Sequence, residues 1–467
     1  MTSDDICFRP LHEIAALIAA RAVSPVEVVD AYLRRCERLN PILNAFVTLA
    51  GEAALTAARA AESACRGGPL HGVPIGLKDV FDTAGIRTTY GSSFYRDHVP
   101  TADAVPVARL RAAGAIVLGK CNTHEFAGGS TTNNPWYGAS RNPWDLERSP
   151  GGSSGGSGAA VAAFLCAGAT GTDTGGSVRA PAACNGIVGL KPTYGLVSQR
   201  GIFPNSWSFD VAGAITRTVR DAGLMLGAMA GYDPGDPTTI DRPPEDFIRD
   251  LDKGVAGLRI AFCPDLHISE IDDTVAGVLE AAGCGLAAQG ASLKTVAFAP
   301  RELVRDTAMT LHQAEFHAVH RERVAREPEG YGKDVRVNVQ AYGAVTATAY
   351  QRACYDRLAL RRRFTRLMED VDAILIPTAP CVAPDLATGS STINGRSVSF
   401  GEVGVALRIP VNMLGVPSIA VPIGFSGGLP ISMQIVGRAW DEGTILRIGQ
   451  AHEAATPELR SRRPPHC

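Results

Sequence analysis

Four short apolar runs recur along the chain: AIVLG at Ala115–Gly119, RIAFC at Arg259–Cys263, AILIP at Ala373–Pro377 and SIAVPIG at Ser418–Gly424. They are rich in β-branched residues and too short for helices, which predicts buried strands. Between them lie stretches with helical spacing, such as Asp103–Ala113 and Ala349–Glu369. Strands alternating with helices predict an α/β protein around a largely central sheet. At about 150 residues per domain the length allows three domains, or one large α/β domain; we expect one, spanning residues 1–467. Residues 232–256 hold Pro234, Pro237, Pro243 and Pro244 among many acids, and predict a long surface excursion rather than a boundary. No internal repeat is present.

The N-terminal part, residues 1–60, reads as helical. Leu11, Ile14, Ala15 and Ile18 follow a one-face helical pattern. Ser24-Pro25-Val26-Glu27 then combines an N-cap serine, proline at the first helical position and a capping-box glutamate. A helix over roughly 25–39 follows.

Charge and cysteine usage exclude several function classes. With 45 Lys+Arg against 47 Asp+Glu, the chain gives no sign of binding nucleic acid or an acidic membrane. Eleven scattered cysteines with no CxxC pair do not look like a disulfide framework, and a reducing cytoplasm is the expected home. The opening MTSDDICFRP is unlike a secretory signal. No apolar run approaches the roughly 18–20 residues that span a bilayer; the longest lies near Ala159–Ala167. The closing RPPHC fits no lipidation signal.

Glycine is in excess, 50 of 467 residues against roughly 7% on average. The excess concentrates between Gly151 and Gly201. Residues 151–158, GGSSGGSG, have the composition of a flexible linker. They run directly into AAVAAFLCAGA, which reads as a buried helix. A loop that feeds a buried helix is a site rather than a tether. G-x-S-x-G at Gly151–Gly155 has the form of a nucleophile elbow, but NPWDLERSP before it is no strand, and nothing marks a later acid or His267 as partners. GAIVLGKC at Gly114–Cys121 approaches a P-loop but has Cys121 where magnesium needs Ser or Thr, so a strand end is expected there. His312, His317 and His320, with Glu315, suggest a metal cluster; 317 and 320 share a helical face, 312 and 317 do not, and solvated or pocket-lining histidines are expected instead.

Two further elements carry chemistry. In GTDTGGSVRAPAACNG, at Gly171–Gly186, Ser177 follows two glycines and precedes a small-residue segment that can open a helix. Consecutive glycines let backbone N–H groups converge as in an anion nest or oxyanion hole; an ordinary tight turn is the alternative. In GVPIGLKDVFDTAGIRTTYGS, at Gly72–Ser92, Lys78 sits inside an apolar run. It is either a snorkelling surface residue or a buried one, and burial makes lysine a general base near neutral pH. Asp79 beside it offers a plain ion pair.

Together these residues resemble the amidase signature family of serine hydrolases. The likeness rests on GVPIGLKD, on SPGGSSGGSGAAVAA around Ser153, and on GTDTGGSVRAPAACNGIVGLKPTYG around Ser177, with 24 positions between the serines. NTHEFAGGSTTNNPWYGASRNPWD, DAILIPTAP and IPVNMLGVPSIAVPIG add to it, and it is strongest over about 65–215. The resemblance implies an α/β/α sandwich around a large mixed twisted sheet. It implies a Ser–cis-Ser–Lys triad with Ser177 as nucleophile, Ser153 as bridge and Lys78 as base. It also implies an oxyanion hole from the N–H groups of Thr174, Gly175, Gly176 and Ser177. The loop Ala127, Gly128, Gly129 and Ser130 would face the acyl pocket. No metal or organic cofactor is needed.

The implied activity is hydrolysis of a small or aryl carboxylic amide, with carbamates, ureas and esters as rivals. An amidotransferase-type subunit delivering ammonia to a partner is the other alternative. That branch carries an acid four positions before IPVN, where this chain has Val405 ahead of Arg408 and Ile409. Arg357 matches the arginine that meets the substrate carboxylate in that branch; bracing of its own helix is the favoured reading. Residues 300–350, with Tyr331, Tyr342 and His317, are expected at the site entrance. A small-molecule substrate is expected, with no nucleic acid or membrane partner, and a homodimer is left open.

Overall fold

A computed structural model describes residues 3–64, 67–266 and 269–467; His267 lies outside them. Its centre is one sheet of eleven strands, spanning Phe46–Leu49 to Leu429–Val436 in the chain. In spatial order the strands begin at residues 46, 116, 74, 168, 211, 188, 418, 429, 373, 259 and 292. The sheet is mixed: Pro74–Lys78 runs parallel to both its neighbours, whereas Gly168–Asp173 is antiparallel to Val211–Thr216. The four apolar runs are strands Ile116–Cys121, Arg259–Phe262, Ala373–Pro377 and Ser418–Ser426. The near-P-loop is therefore strand from Ile116 onward, and that strand is buried throughout.

Ser24 and Glu27 form the capping box through bonds of 3.1 and 2.8 Å. The helix they start, Pro25–Leu43, buries Val28, Val29, Tyr32 and Cys36. It runs one turn beyond the expected end: Pro41 removes only the bond to the carbonyl of Glu37, a residue on the exposed face of the helix. The helix expected over AAVAAFLCAGA is displaced. It begins inside the glycine-serine run, spans Gly155–Ala162, and stops before Phe164, which takes φ 59°. The chain then enters the strand Gly168–Asp173. Residues 151–158 are all buried, unlike a linker. Residues 232–256 form no helix or strand, and Phe247 and Leu251 anchor them in the core. No helix among the described residues is long and apolar enough to cross a membrane.

Candidate active site

Lys78 ends a strand between two others, so its side chain is fully buried. Its ammonium nitrogen donates to Ser153 Oγ and to Thr172 Oγ1, both at 2.7 Å. Burial lowers its pKa to about 7, against the pull of Asp210 and Asp173. The Gly152–Ser153 peptide is cis. The Ser153 carbonyl accepts from His124 N, Thr123 Oγ1 and Thr132 Oγ1, at 3.1, 2.9 and 3.1 Å. A Cβ on Gly152 would lie 2.6 Å from Thr131 N, so only glycine lets this turn pack against the end of the 127–130 loop.

Ser177 lies in the turn between strand Gly168–Asp173 and helix Arg179–Asn185, and is partly exposed. Its hydroxyl makes no hydrogen bond to a described residue, so the structure joins Lys78 to Ser153 but does not extend the chain of bonds to Ser177. The N–H groups of Thr174, Gly175 and Ser177 also lack partners among the described residues. Gly176 differs from the expectation: its N–H donates to Asp173 Oδ1 at 2.9 Å. The Asp173 carboxylate also takes Val178 N and Arg179 N, and so uses the donor that the turn would otherwise offer. Gly176 serves by its backbone, at φ 114°, where a Cβ would stand 2.1 Å from Arg408 Nε.

Burial alone would raise Asp173, but Arg179 overrides it and holds the carboxyl well below the usual range. Arg179 binds it through Nε and Nη2 at 3.0 and 2.8 Å, and reaches Gln434 and Asn412 at 2.6 Å each. The turn that carries Ser177 is thus fastened to the C-terminal third of the sheet.

The amidase family profile matches residues 27–446. This chain belongs to the amidase signature family. Among curated relatives, the A-subunit of glutamyl-tRNA(Gln) amidotransferase from Methylococcus capsulatus is 39% identical over 475 residues, covering 96% of this chain and 97% of the relative. Among solved structures, a vestigial protein complex bearing on the origins of an s-triazine catabolic enzyme matches with TM-score 0.91 and 32% identity, over 96% of this chain and 98% of that one. A bacterial aryl acylamidase matches with TM-score 0.89 and 26% identity, over 98% and 99%.

In this chain the 127–130 loop is set by two non-glycine residues with positive φ, Phe126 at 50° and Ala127 at 56°. Asn205 Nδ2 holds the Ala127 carbonyl at 2.9 Å, and a Cβ on Gly129 would meet His124 at 2.3 Å. Gly128, Gly129 and Ser130 are partly exposed. Asp210 links this loop to the Ser177 turn: it accepts Thr174 Oγ1 at 2.6 Å and the N–H groups of Asn205 and Ser206 at 2.8 and 3.0 Å. Burial raises it to about 6. Sequence reasoning misses both Asp210 and Thr172: Thr172 lies within the GTDTGGS motif, while SWSFD around Asp210 carries no signal of its own.

Arg357 braces. It donates to Met413 O, Ser208 Oγ and Ser208 O at 2.7, 2.7 and 2.6 Å and lies over the Phe209 ring. Glu315 accepts from Ser206, Ser208 and Tyr350. The histidines diverge from the shared face expected of 317 and 320. His312 and His320 face inward with Phe316 between them, whereas His317 bonds the Val339 carbonyl at 2.8 Å. Burial lowers His312 to about 4 and His320 to about 3. Among the described residues no three His, Cys, Asp or Glu side chains are grouped to hold a metal. Tyr331 is not an entrance residue: it is 3% exposed and packs on Phe126 and His320, behind the loop.

Proposed function

We propose that the protein hydrolyses the C–N bond of a carboxylic amide through an acyl-enzyme on Ser177. The observation that carries this is Lys78: a fully buried lysine with pKa about 7, 2.7 Å from Ser153. A serine hydroxyl needs a base, and neutral lysine supplies one. The Ser177 proton passes to Ser153, whose own proton passes to Lys78. The bond from Ser177 Oγ to the carbonyl carbon forms, and the proton returns by the same route to the leaving nitrogen as C–N breaks. Water then attacks the ester and releases the carboxylate. The Ser153–Ser177 contact, unmade here, closes with substrate bound, as catalytic hydrogen bonds commonly do. The N–H groups of Thr174, Gly175 and Ser177 are free to hold the oxyanion; one such donor contributes about 3–4 kcal/mol.

Two destinations for the nitrogen follow. The aryl acylamidase likeness supports release to water from a small or aryl amide. The higher sequence identity to the amidotransferase A-subunits supports the other: glutamine as donor, with ammonia passed to a partner. The comparisons weigh toward this second reading. Val405 in place of an acid, and Arg357 held by Ser208 and Met413, weigh against it.

The test is intact mass after exposure to a small fluorophosphonate, with peptide mapping. An adduct on Ser177, absent in Ser177→Ala and much slower in Lys78→Ala, supports the mechanism; no adduct on folded protein refutes it. Ammonia release from glutamine by the isolated chain, compared with an aryl amide, then separates the destinations. Purification from source cells as a complex favours the amidotransferase role.

A further inference from the structure

Helix Phe400–Leu414 runs against the turn that carries Ser177. Its Arg408 is fully buried and packs on Gly176, the residue before Ser177. A Cβ at 176 would collide with the Nε, Cδ and Cβ atoms of Arg408, so only glycine lets the guanidinium come so close. Ile409 lies under Gly175, 3.8 Å from where a Cβ would stand. Arg408 Nη1 donates to the Thr378 carbonyl at 2.9 Å. Its Nε has no acceptor among the described residues, and no carboxylate among them pairs with it.

A spacer under this turn would need no charge. Methionine has a similar reach, whereas a buried guanidinium without a counter-ion is destabilising. Burial lowers Arg408 to about 10, so it is still a cation at neutral pH. Among its neighbours, repulsion from Arg179 outweighs the attraction of Asp173. Asp173 is already committed: Arg179 holds it through Nε and Nη2, and Asn412 Nδ2 donates to it at 2.9 Å. Two guanidinium groups and one carboxylate therefore back the turn, and the surplus is positive. An anion that forms nearby offsets such a surplus, and in a low-dielectric interior the charge acts without contact.

We propose that Arg408 is a positioning residue for the Ser177 reaction: it supports the 175–177 turn and favours the oxyanion through its buried charge. The oxyanion is the negative oxygen formed as Ser177 Oγ bonds to the carbonyl carbon. The Gly176 N–H is spent on Asp173, and the field of Arg408 partly replaces that donor. The inference rests on the reading of Ser177 as nucleophile and adds a residue to it.

The experiment measures the second-order rate at which diisopropyl fluorophosphate labels Ser177 in the full chain. Ser177 Oγ bonds to phosphorus and fluoride leaves. Negative charge gathers on the phosphoryl oxygen on the way, so no natural substrate is needed. The rate is taken at about pH 9, where Lys78 is neutral. Arg408→Gln can still bond the Thr378 carbonyl but carries no charge, and should label at least about tenfold more slowly. Arg408→Lys keeps the charge and should stay within about threefold of wild type. Phenylboronic acid becomes a tetrahedral anion on serine. It should protect wild type and Arg408→Lys at concentrations at least about tenfold below those needed for Arg408→Gln.

Gly404 supplies a second pair that leaves Arg408 in place and serves if Arg408→Gln fails to fold. A Cβ on Gly404 would stand 2.8 Å from Arg408 Nη2. Gly404→Asp sets a carboxylate on the guanidinium and should label at least about fivefold more slowly than the isosteric Gly404→Asn. No labelling of folded wild type refutes the nucleophile, and this inference with it. When wild type labels on Ser177, the inference alone is overturned if Arg408→Gln labels as fast as Arg408→Lys, or Gly404→Asp as fast as Gly404→Asn.

Discussion

Lys78 and Lys120 occupy neighbouring parallel strands, and the sheet buries both completely. Lys78 lies opposite Cys121, so Lys120, one position earlier, points to the other face. The two faces offer different company. On one, Lys78 meets two hydroxyls and no carboxylate within hydrogen-bond reach. On the other, Lys120 meets the Phe81 carbonyl, the Thr83 and Thr88 hydroxyls at 3.0 Å each, and Asp79 at 3.9 Å. Burial lowers both, Lys78 to about 7 and Lys120 to about 8. Depressed pKa alone therefore does not distinguish a base from a strut. The wider setting does: Lys78 bonds a serine that stands beside the Ser177 turn, whereas Lys120 is tied to a carbonyl and paired with a carboxylate.

The largest expected effect tests that distinction directly. Lys78→Ala should lower kcat/KM by about 10^4-fold, because it removes the base bonded to Ser153. Lys78→Arg should not restore activity, since a guanidinium stays charged. Thermal unfolding of both variants should show folded protein. Retained activity in either would remove the contrast between the two lysines.

Lys120→Met should do the reverse. It leaves Asp79 fully buried, with Thr89 as its remaining donor, and breaking a buried pair costs about 3–5 kcal/mol. Denaturant unfolding should show that loss, while kcat of the folded fraction stays within a few-fold of wild type. Adding Asp79→Asn should recover part of the stability. A fall in kcat as deep as that of Lys78→Ala would mean Lys120 also serves the reaction.

This contrast shows where the sequence stops being legible. An apolar run around a lysine leaves snorkelling and burial both open, but the four apolar runs are enough to place strands around a central sheet. The capping box at Ser24 and the Gly/Ser segments around Ser153 and Ser177 are equally local, and so readable. Which lysine faces which partner depends on register between strands, which no local window contains. The same holds for Asp173: nothing local marks it, and its charge is fixed by Arg179, which in turn reaches Gln434, 255 positions further on. The Gly176 N–H departs from its expected role for a related reason. Consecutive glycines announce free donors, and only the folded turn reveals that a carboxylate three positions back has taken one. Histidines 312 and 320 are ambiguous in the sequence because a helical spacing does not say which face is buried.

A smaller effect sharpens the comparison through pH. Lys78 must be neutral to act, so kcat/KM should rise about tenfold per pH unit below pH 7 and level off above it. The sign for stability follows from the same shift. The unfolded chain binds this proton with the ordinary lysine value of 10.5, the folded chain only below about 7. Lys78 therefore costs stability fully below pH 7, and the cost is relieved as pH rises from 7 toward 10.5. Lys78→Met should remove that part of the slope in a pH series of unfolding curves, and a slope identical to wild type would contradict burial as the cause.

The smallest effect concerns Asp210, which pulls Lys78 upward from across the site. Asp210→Asn removes a negative charge, so charged Lys78 is less favoured and its pKa should fall. The rising limb of kcat/KM should then move to lower pH by less than about one unit. The height of the profile should fall too, because asparagine has one acceptor oxygen for the three donors that Asp210 serves, and the Thr174 turn loosens. Height and position report different things: height follows the turn, position follows the field at Lys78. Thr174→Val separates them. It cuts the same turn from Asp210 but keeps the carboxylate, so it should lower the profile and move the limb less than Asp210→Asn does. If Thr174→Val moves the limb as far as Asp210→Asn does, the turn and not the carboxylate sets the pKa of the base, and the electrostatic half of the contrast between Lys78 and Lys120 falls.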